Sequence, residues 1–103
     1  MRDVHHPSRE EIDLANVLHA LSDPLRLEIV DILAETGEHN CSSLGNGSIS
    51  KSTLSHHLKV LREAGITWTR VEGTQRLVTL RSDDLGERFP GLIESVLSAT
   101  KVV

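Results

Sequence analysis

The stretch from Ser50 to Gly65, Ser-Lys-Ser-Thr-Leu-Ser-His-His-Leu-Lys-Val-Leu-Arg-Glu-Ala-Gly, limits what this chain can fold into more than any other segment. Leu54, Leu58 and Leu61 fall at i, i+4 and i+7, so a helix through them has one apolar face, and Ser52, Ser55, His56 and Lys59 project from the other. Ser50 offers a hydroxyl to the unpaired N–H groups of the first turn, and Gly65 tolerates the left-handed conformation that ends many helices. Solvated helix faces are ordinarily rich in Glu and Lys. This face carries short hydroxyls, an imidazole and a cation, groups that bond base edges and phosphate oxygens at close range. The spacing predicts a helix that enters the DNA major groove, with Ser52, Thr53, Ser55 and His56 as base readers, Thr53 the most oblique of them, and Ser50, Lys51 and Lys59 beside the backbone.

The following segment changes period. Ile66-Thr67-Trp68-Thr69-Arg70-Val71 is rich in β-branched residues, and Arg76-Leu77-Val78-Thr79-Leu80 alternates after Glu72-Gly73-Thr74-Gln75, which predicts a hairpin. Arg70, Thr74, Gln75 and Arg76 at or near its tip suit a phosphate backbone or a minor groove; the bland alternative is a solvated hairpin capping the core. The formal net charge of −4 argues against nucleic acid until it is divided along the chain. Residues 1–49 carry three basic and nine acidic side chains, whereas residues 50–81 carry six basic side chains against Glu63 and Glu72. Positive charge thus gathers on the helix and hairpin that would need it.

Upstream, Ser8-Arg9-Glu10-Glu11 has the form of a capping box and predicts a first helix through Ile12, Leu14, Ala15, Val17, Leu18 and Leu21 after a mobile arm of residues 1–7. Asp23 and Pro24 restart the chain as N-cap and first helical residue of a second helix ending near Gly37. Gly45, Asn46, Gly47 and Ser48 are poor helix residues, so only a short helix over residues 41–45 is expected there, anchored by Leu44 and Ile49. Ser82-Asp83-Asp84 caps a last helical region, broken at Phe89-Pro90-Gly91 and resumed through Leu92, Ile93, Val96 and Leu97. A chain of 103 residues with one Phe, one Trp and no Tyr has a lean core and gains from a shared seam. The apolar stripes of the first helix (Ile12, Leu14, Val17, Leu18) and the last (Leu92, Ile93, Val96, Leu97) predict a homodimer. Its two-fold axis would place two reading helices about one turn of DNA apart, on an inverted-repeat operator.

The reading-helix wording, together with Ala20-Leu-Ser-Asp-Pro-Leu-Arg-Leu27 and Glu72-Gly73, closely resembles the ArsR/SmtB family of bacterial winged helix-turn-helix regulators over roughly residues 12 to 81. The resemblance implies a mainly α fold with a small β-hairpin, a winged helix-turn-helix dimerised through its first and last helices, within one domain spanning residues 8–101. It also implies repression by occupancy of promoter DNA. The chain departs from the family where a full helix usually precedes the reading helix. Arg26 matches a family position, and is read equally well as a surface residue pairing with an acid.

Effector chemistry is thinly written. Glu38-His39-Asn40-Cys41-Ser42 lacks the cysteine pair of one family metal site, and no histidine follows His57 to complete the other. His5 and His6, close to the amino terminus, are the candidate ligands for a nickel or zinc ion, completed by a carboxylate from the last helix of a second subunit. His39 with Cys41 is a weaker pair. His19 reads as a packed or partly exposed polar residue, and His56 and His57 as DNA contact and packing. Cys41 alone excludes an internal disulfide, no apolar run reaches the length of a membrane span, and Met1-Arg2-Asp3 opens no apolar signal core, so a cytoplasmic protein is expected. No nucleophile, base and oxyanion group are indicated together, so no enzyme is expected. The alternatives are a winged helix that binds protein, or a regulator whose effector is sensed by a separate partner.

Overall fold

The computed structural model describes residues 4–45 and 47–101. In order along the chain these residues form α1 (Leu14–Ala20), α2 (Pro24–Thr36), β1 (His39–Asn40), α3 (Lys51–Glu63), β2 (Thr67–Glu72), β3 (Gln75–Leu80), α4 (Ser82–Arg88) and α5 (Leu92–Thr100), with single 3-10 turns at Arg9–Glu11 and Cys41–Ser43. The strands make one antiparallel sheet in the order β1-β3-β2. The hairpin is therefore a wing with a short third strand, His39 pairing Val78 and Asn40 pairing Leu77. No alternation in the sequence around His39 announces this third strand. Val17, Ile29, Leu33, Leu61, Ile66, Val78 and Leu85 sit at the centre of the core, each at most 2% exposed.

Both ends of α3 form as their residues dictate. The Ser50 hydroxyl accepts from Thr53 N–H at 3.1 Å. At the other end Ala64 caps the helix and Gly65 adopts φ 87°. Ile66 N–H then returns to the Leu61 carbonyl and Gly65 N–H to the Arg62 carbonyl, both at 3.0 Å, the paired bonds of a Schellman ending. A Cβ at position 65 would lie 2.5 Å from Cγ1 of Ile12, so glycine is required by contact as well as by backbone angle.

That contact corrects the first helix. Ser8 N–H does donate to Glu11 Oε1 at 2.8 Å, but the box encloses only the 3-10 turn. Ile12 stays extended and is 1% exposed in the core, and α1 starts two residues later with Asp13 as its N-cap. Burying a whole isoleucine against Gly65 is worth about 2–3 kcal/mol, enough to outweigh one more helical turn. The preceding arm is also held: Thr69 N–H donates to His6 Nε2 at 2.9 Å, and Arg81 donates to the Pro7 carbonyl at 2.8 Å. Residues 1–3 of the expected mobile arm lie outside the described residues.

Two smaller differences follow from local chemistry. The segment expected to be helical over residues 41–45 is a single 3-10 turn, capped by the Asn40 side chain accepting from Ser42 N–H at 3.1 Å. Leu44 is buried as its anchor, while Ile49 is only half-buried. At α4 the N-cap position falls on Arg81, one residue before Ser82, and Asp83 and Asp84 lie in the first turn, where acidic groups favour the helix dipole.

A candidate nucleic-acid interface on the third helix and the wing

Ser50, Lys51, Ser52, Thr53, Ser55, His56 and Lys59 are all exposed, and the same helix buries Leu58 and Leu61 on its far side. The seven side chains therefore share one solvent-facing surface. Thr53 is turned back into the cap, its hydroxyl accepting from Ser50 at 2.9 Å, and the Ser52 hydroxyl also lies 3.1 Å from that of Ser50, whereas Ser55 and His56 stand clear of the cap. His57, next to His56 but half-buried, faces the other way: its Nδ1 lies 2.9 Å from Arg26 Nη1.

Arg26 is neither exposed nor paired with an acid. It is 8% exposed and donates from Nε to the carbonyl of Ala20, the last residue of α1, at 2.7 Å. One guanidinium thus ends α1 and reaches α3. Asp23 accepts from Leu25 and Arg26 N–H at 2.9 and 3.1 Å; burial opposes its ionisation, yet these bonds with His57 and Arg26 nearby hold its carboxyl below the usual range.

The wing tip is a two-residue connection, Glu72 pairing Gln75 around Gly73 (φ 61°) and Thr74. Only the first connecting residue has positive φ, as in a type II′ hairpin. This register separates the two wing arginines. Arg76 pairs with Val71 and shares a face with Thr69 and Val78, toward α3; Arg70 pairs with Leu77 on the opposite face beside Trp68. Arg70 also has acidic partners. It bonds Glu72 and, at 3.0 Å, Glu38, so its guanidinium is turned to these two carboxylates and not toward α3. Thr74, Gln75 and Arg76 are exposed.

The cations divide sharply. Arg9 and Arg81 hold Asp84 (2.6 and 2.9 Å), Lys101 holds Glu35 and Asp31 (2.8 and 3.5 Å), and Arg88 donates to the carbonyls of Arg9 and Glu10. By contrast Lys51, Lys59, Arg62 and Arg76 form no hydrogen bond or ion pair through their side chains among the described residues. All four lie on α3 or the inner side of the wing. Arg62 belongs to the basic segment but not to the site residues expected from the sequence. Its signal is present there all the same, because Ser55, Lys59 and Arg62 fall at i, i+4 and i+7 on one helical stripe.

The dimer stripe is narrower than the sequence suggests. Ile12 and Val17 are fully buried within the protomer and Ile93 and Leu97 are 9% and 8% exposed, so these four belong to the core. Leu14 and Leu18, 45% and 48% exposed, stand one turn apart on α1, and Leu92 and Val96 remain half-buried on α5. The metal reading finds no assembled donor set, since no three His, Cys, Asp or Glu side chains gather for an ion among the described residues. His5 is exposed, while His6 Nε2 is taken by Thr69 N–H. His39 bonds the hydroxyls of Thr36 (2.5 Å) and Ser43 (3.3 Å), and His19 is exposed. No helix among the described residues is long and apolar enough to cross a membrane.

Comparison with known proteins finds helix-turn-helix regulators. A helix-turn-helix domain family matches residues 21–67. An uncharacterised HTH-type transcriptional regulator, YceK of Bacillus subtilis, is 40% identical over 84 residues, covering 80% of this chain and 84% of the relative. The arsenical resistance operon repressor of Staphylococcus xylosus is 37% identical over 71% of this chain and 70% of its own. Among solved structures, the transcriptional repressor BigR from Xylella fastidiosa superposes with a TM-score of 0.67 at 31% identity, over 94% of this chain and all of the other. A homodimeric winged helix-turn-helix DNA-binding domain from Mycobacterium bovis gives 0.67 at 28% identity, over 84% and 80%.

Proposed function

The chain belongs to the ArsR/SmtB family of winged helix-turn-helix transcriptional regulators, DNA-binding proteins and not enzymes, and from that premise we propose that it acts as a homodimeric repressor on an inverted-repeat operator in the cytoplasm. The observation that carries the reading is the set of cations without a partner among the described residues, Lys51, Lys59 and Arg76, around the exposed Ser52, Ser55 and His56. A protein surface that leaves its cations without carboxylates is matched to a polyanion, and the short polar groups between them are of the length that reads base edges. Leu14 and Leu18, with Leu92 and Val96, form the seam, in keeping with the homodimeric relative from Mycobacterium bovis.

Anisotropy on the native upstream duplex and on a scrambled duplex at fixed salt tests the roles. Lys59→Ala weakens both duplexes alike, whereas His56→Ala lowers the preference between them by about 1–3 kcal/mol, the worth of one base contact. The reverse pattern contradicts the assignment. Nickel or zinc at His5 and His6 is the less favoured effector reading: among the described residues of one protomer the donors do not assemble, and ligation through His6 Nε2 requires release of Thr69 N–H. Titration of either ion against the fluorescence of Trp68, whose ring centroid lies 4.9 Å from that of His6, decides it. An unchanged signal directs the search to another effector or a separate sensor protein.

A further inference from the structure

Between α3 and the inner side of the wing lies a cleft of about 210 Å³. Ser55, Lys59 and Arg62 line it from the helix, Thr69 and Arg76 from the strands, and Cys41 from the turn before α3. Three of these six are cations, none is paired among the described residues, and no carboxylate lines the cleft. Arg62 is the unusual member. It is only partly exposed, and its Nε is buried with no hydrogen-bond acceptor. A buried donor on a charged group left without an acceptor is costly, and an oxygen brought into the cleft would satisfy it.

We propose that this cleft seats a phosphate group, donated by the DNA strand that runs between the reading helix and the wing, and that Arg62 is its clamp. The proposal rests on the DNA-binding reading above and adds a site and a residue to it. A helix in the major groove and a hairpin tip in the neighbouring minor groove have one sugar–phosphate strand between them. The cleft occupies that position in the protein, between α3 and β2–β3. Arg62 donates from a planar fork, Lys59 and Arg76 add point and fork charge from either wall, and the hydroxyls of Ser55 and Thr69 can donate to the remaining oxygens. Such a seat fixes the angle of the wing to the helix and reads no sequence.

Arg62→Gln and the single cysteine test this together. Arg62→Gln is expected to weaken the native and the scrambled duplex equally, by about tenfold at fixed salt, and to reduce the slope of log K against log salt by about 0.9 for each phosphate left without its cation. Alkylating Cys41 with iodoacetate, which adds a carboxylate, is expected to weaken binding at least tenfold more than alkylation with neutral iodoacetamide, and bound duplex to slow both reactions. Unchanged affinity and slope in Arg62→Gln, with Lys59→Ala still weakened, would overturn the seat while leaving DNA binding intact. Equal effects of the two alkylating reagents would overturn it as well, without reliance on a variant's folding. If the wild type binds neither duplex, inorganic phosphate alone is the probe: protection of Cys41 in the wild type but not in Arg62→Gln assigns the seat to a free anion, and no protection in either overturns it.

Discussion

The two charged sides of this small domain are built on opposite plans. Around the amino-terminal segment and α4, arginine is structural: Arg81, with 1% of its side chain exposed, lies 3.7 Å over the Trp68 ring, donates to Pro7, and shares Asp84 with Arg9. On α3 and the inner wing, Lys51, Lys59, Arg62 and Arg76 have no such partners among the described residues. The same side-chain chemistry does two jobs, and the difference is whether a carboxylate or carbonyl has been placed within reach. A cation already met by a carboxylate has less to gain from a phosphate, whereas an unmet one leaves free energy to be gained on binding a polyanion.

The largest expected effect is on the paired side. Arg81→Ala leaves Asp84 and the Pro7 carbonyl without their buried donor and is expected to lower stability by about 3–5 kcal/mol; chemical denaturation measures it, and a loss under about 1 kcal/mol would show that the cluster is not structural. Lys59→Ala should do the converse. Its unfolding free energy should stay within about 0.5 kcal/mol of wild type, while affinity for any duplex falls about tenfold, roughly 1.4 kcal/mol. If stability changes and affinity does not, the division between the two sides fails.

Acid sharpens the contrast. The hydrogen bond from Arg9, with Arg81, holds Asp84 below the ordinary aspartate range against the opposing effect of its burial. Its contribution is complete above the unfolded value of about 3.9 and is lost as pH falls through the lower folded value. Asp84→Asn should therefore flatten the acid limb of a stability–pH curve. His6 acts earlier: burial, then Arg81 and Arg62, hold it below 6.5, so the folded state resists protonation that the unfolded chain accepts. Stability is expected to start falling as pH drops below about 6.5, with Trp68 fluorescence changing as the Thr69–His6 bond is lost. The smallest effect moves a residue between the two classes. Glu38→Gln removes one of the two partners of Arg70 and should raise affinity for both duplexes, by less than about tenfold, in the same anisotropy assay.

Much of the interface is legible in the sequence because it rests on short-range rules. The leucine spacing in residues 50–65 fixes which face of α3 is buried, and Ser50 and Gly65 mark its ends through groups within a few residues. The hairpin is legible too, and with it the means to separate Arg70 from Arg76: a two-residue turn at Gly73-Thr74 sets the register, and alternation then sends the two side chains to opposite faces. The paired cluster is not legible. Arg9 and Asp84 are 75 residues apart, Thr69 and His6 are 63, and nothing local distinguishes an arginine that will find a carboxylate from one that will not. Ile12 misleads for a related reason. Its helical spacing is correct, but a core site beside Gly65 outweighs local helix formation.

The salt dependence of binding reports directly on which cations meet the DNA. Log K against log salt is measured by anisotropy on one duplex for the wild type, for Lys59→Gln with Arg76→Gln, and for Lys101→Gln as the paired control. The account predicts that the double variant loses slope, by about 0.9 for each phosphate it no longer neutralises, and that Lys101→Gln keeps the wild-type slope because its charge is already met by Glu35 and Asp31. Equal slopes for all three proteins would contradict the placement of the DNA interface on the third helix and the wing.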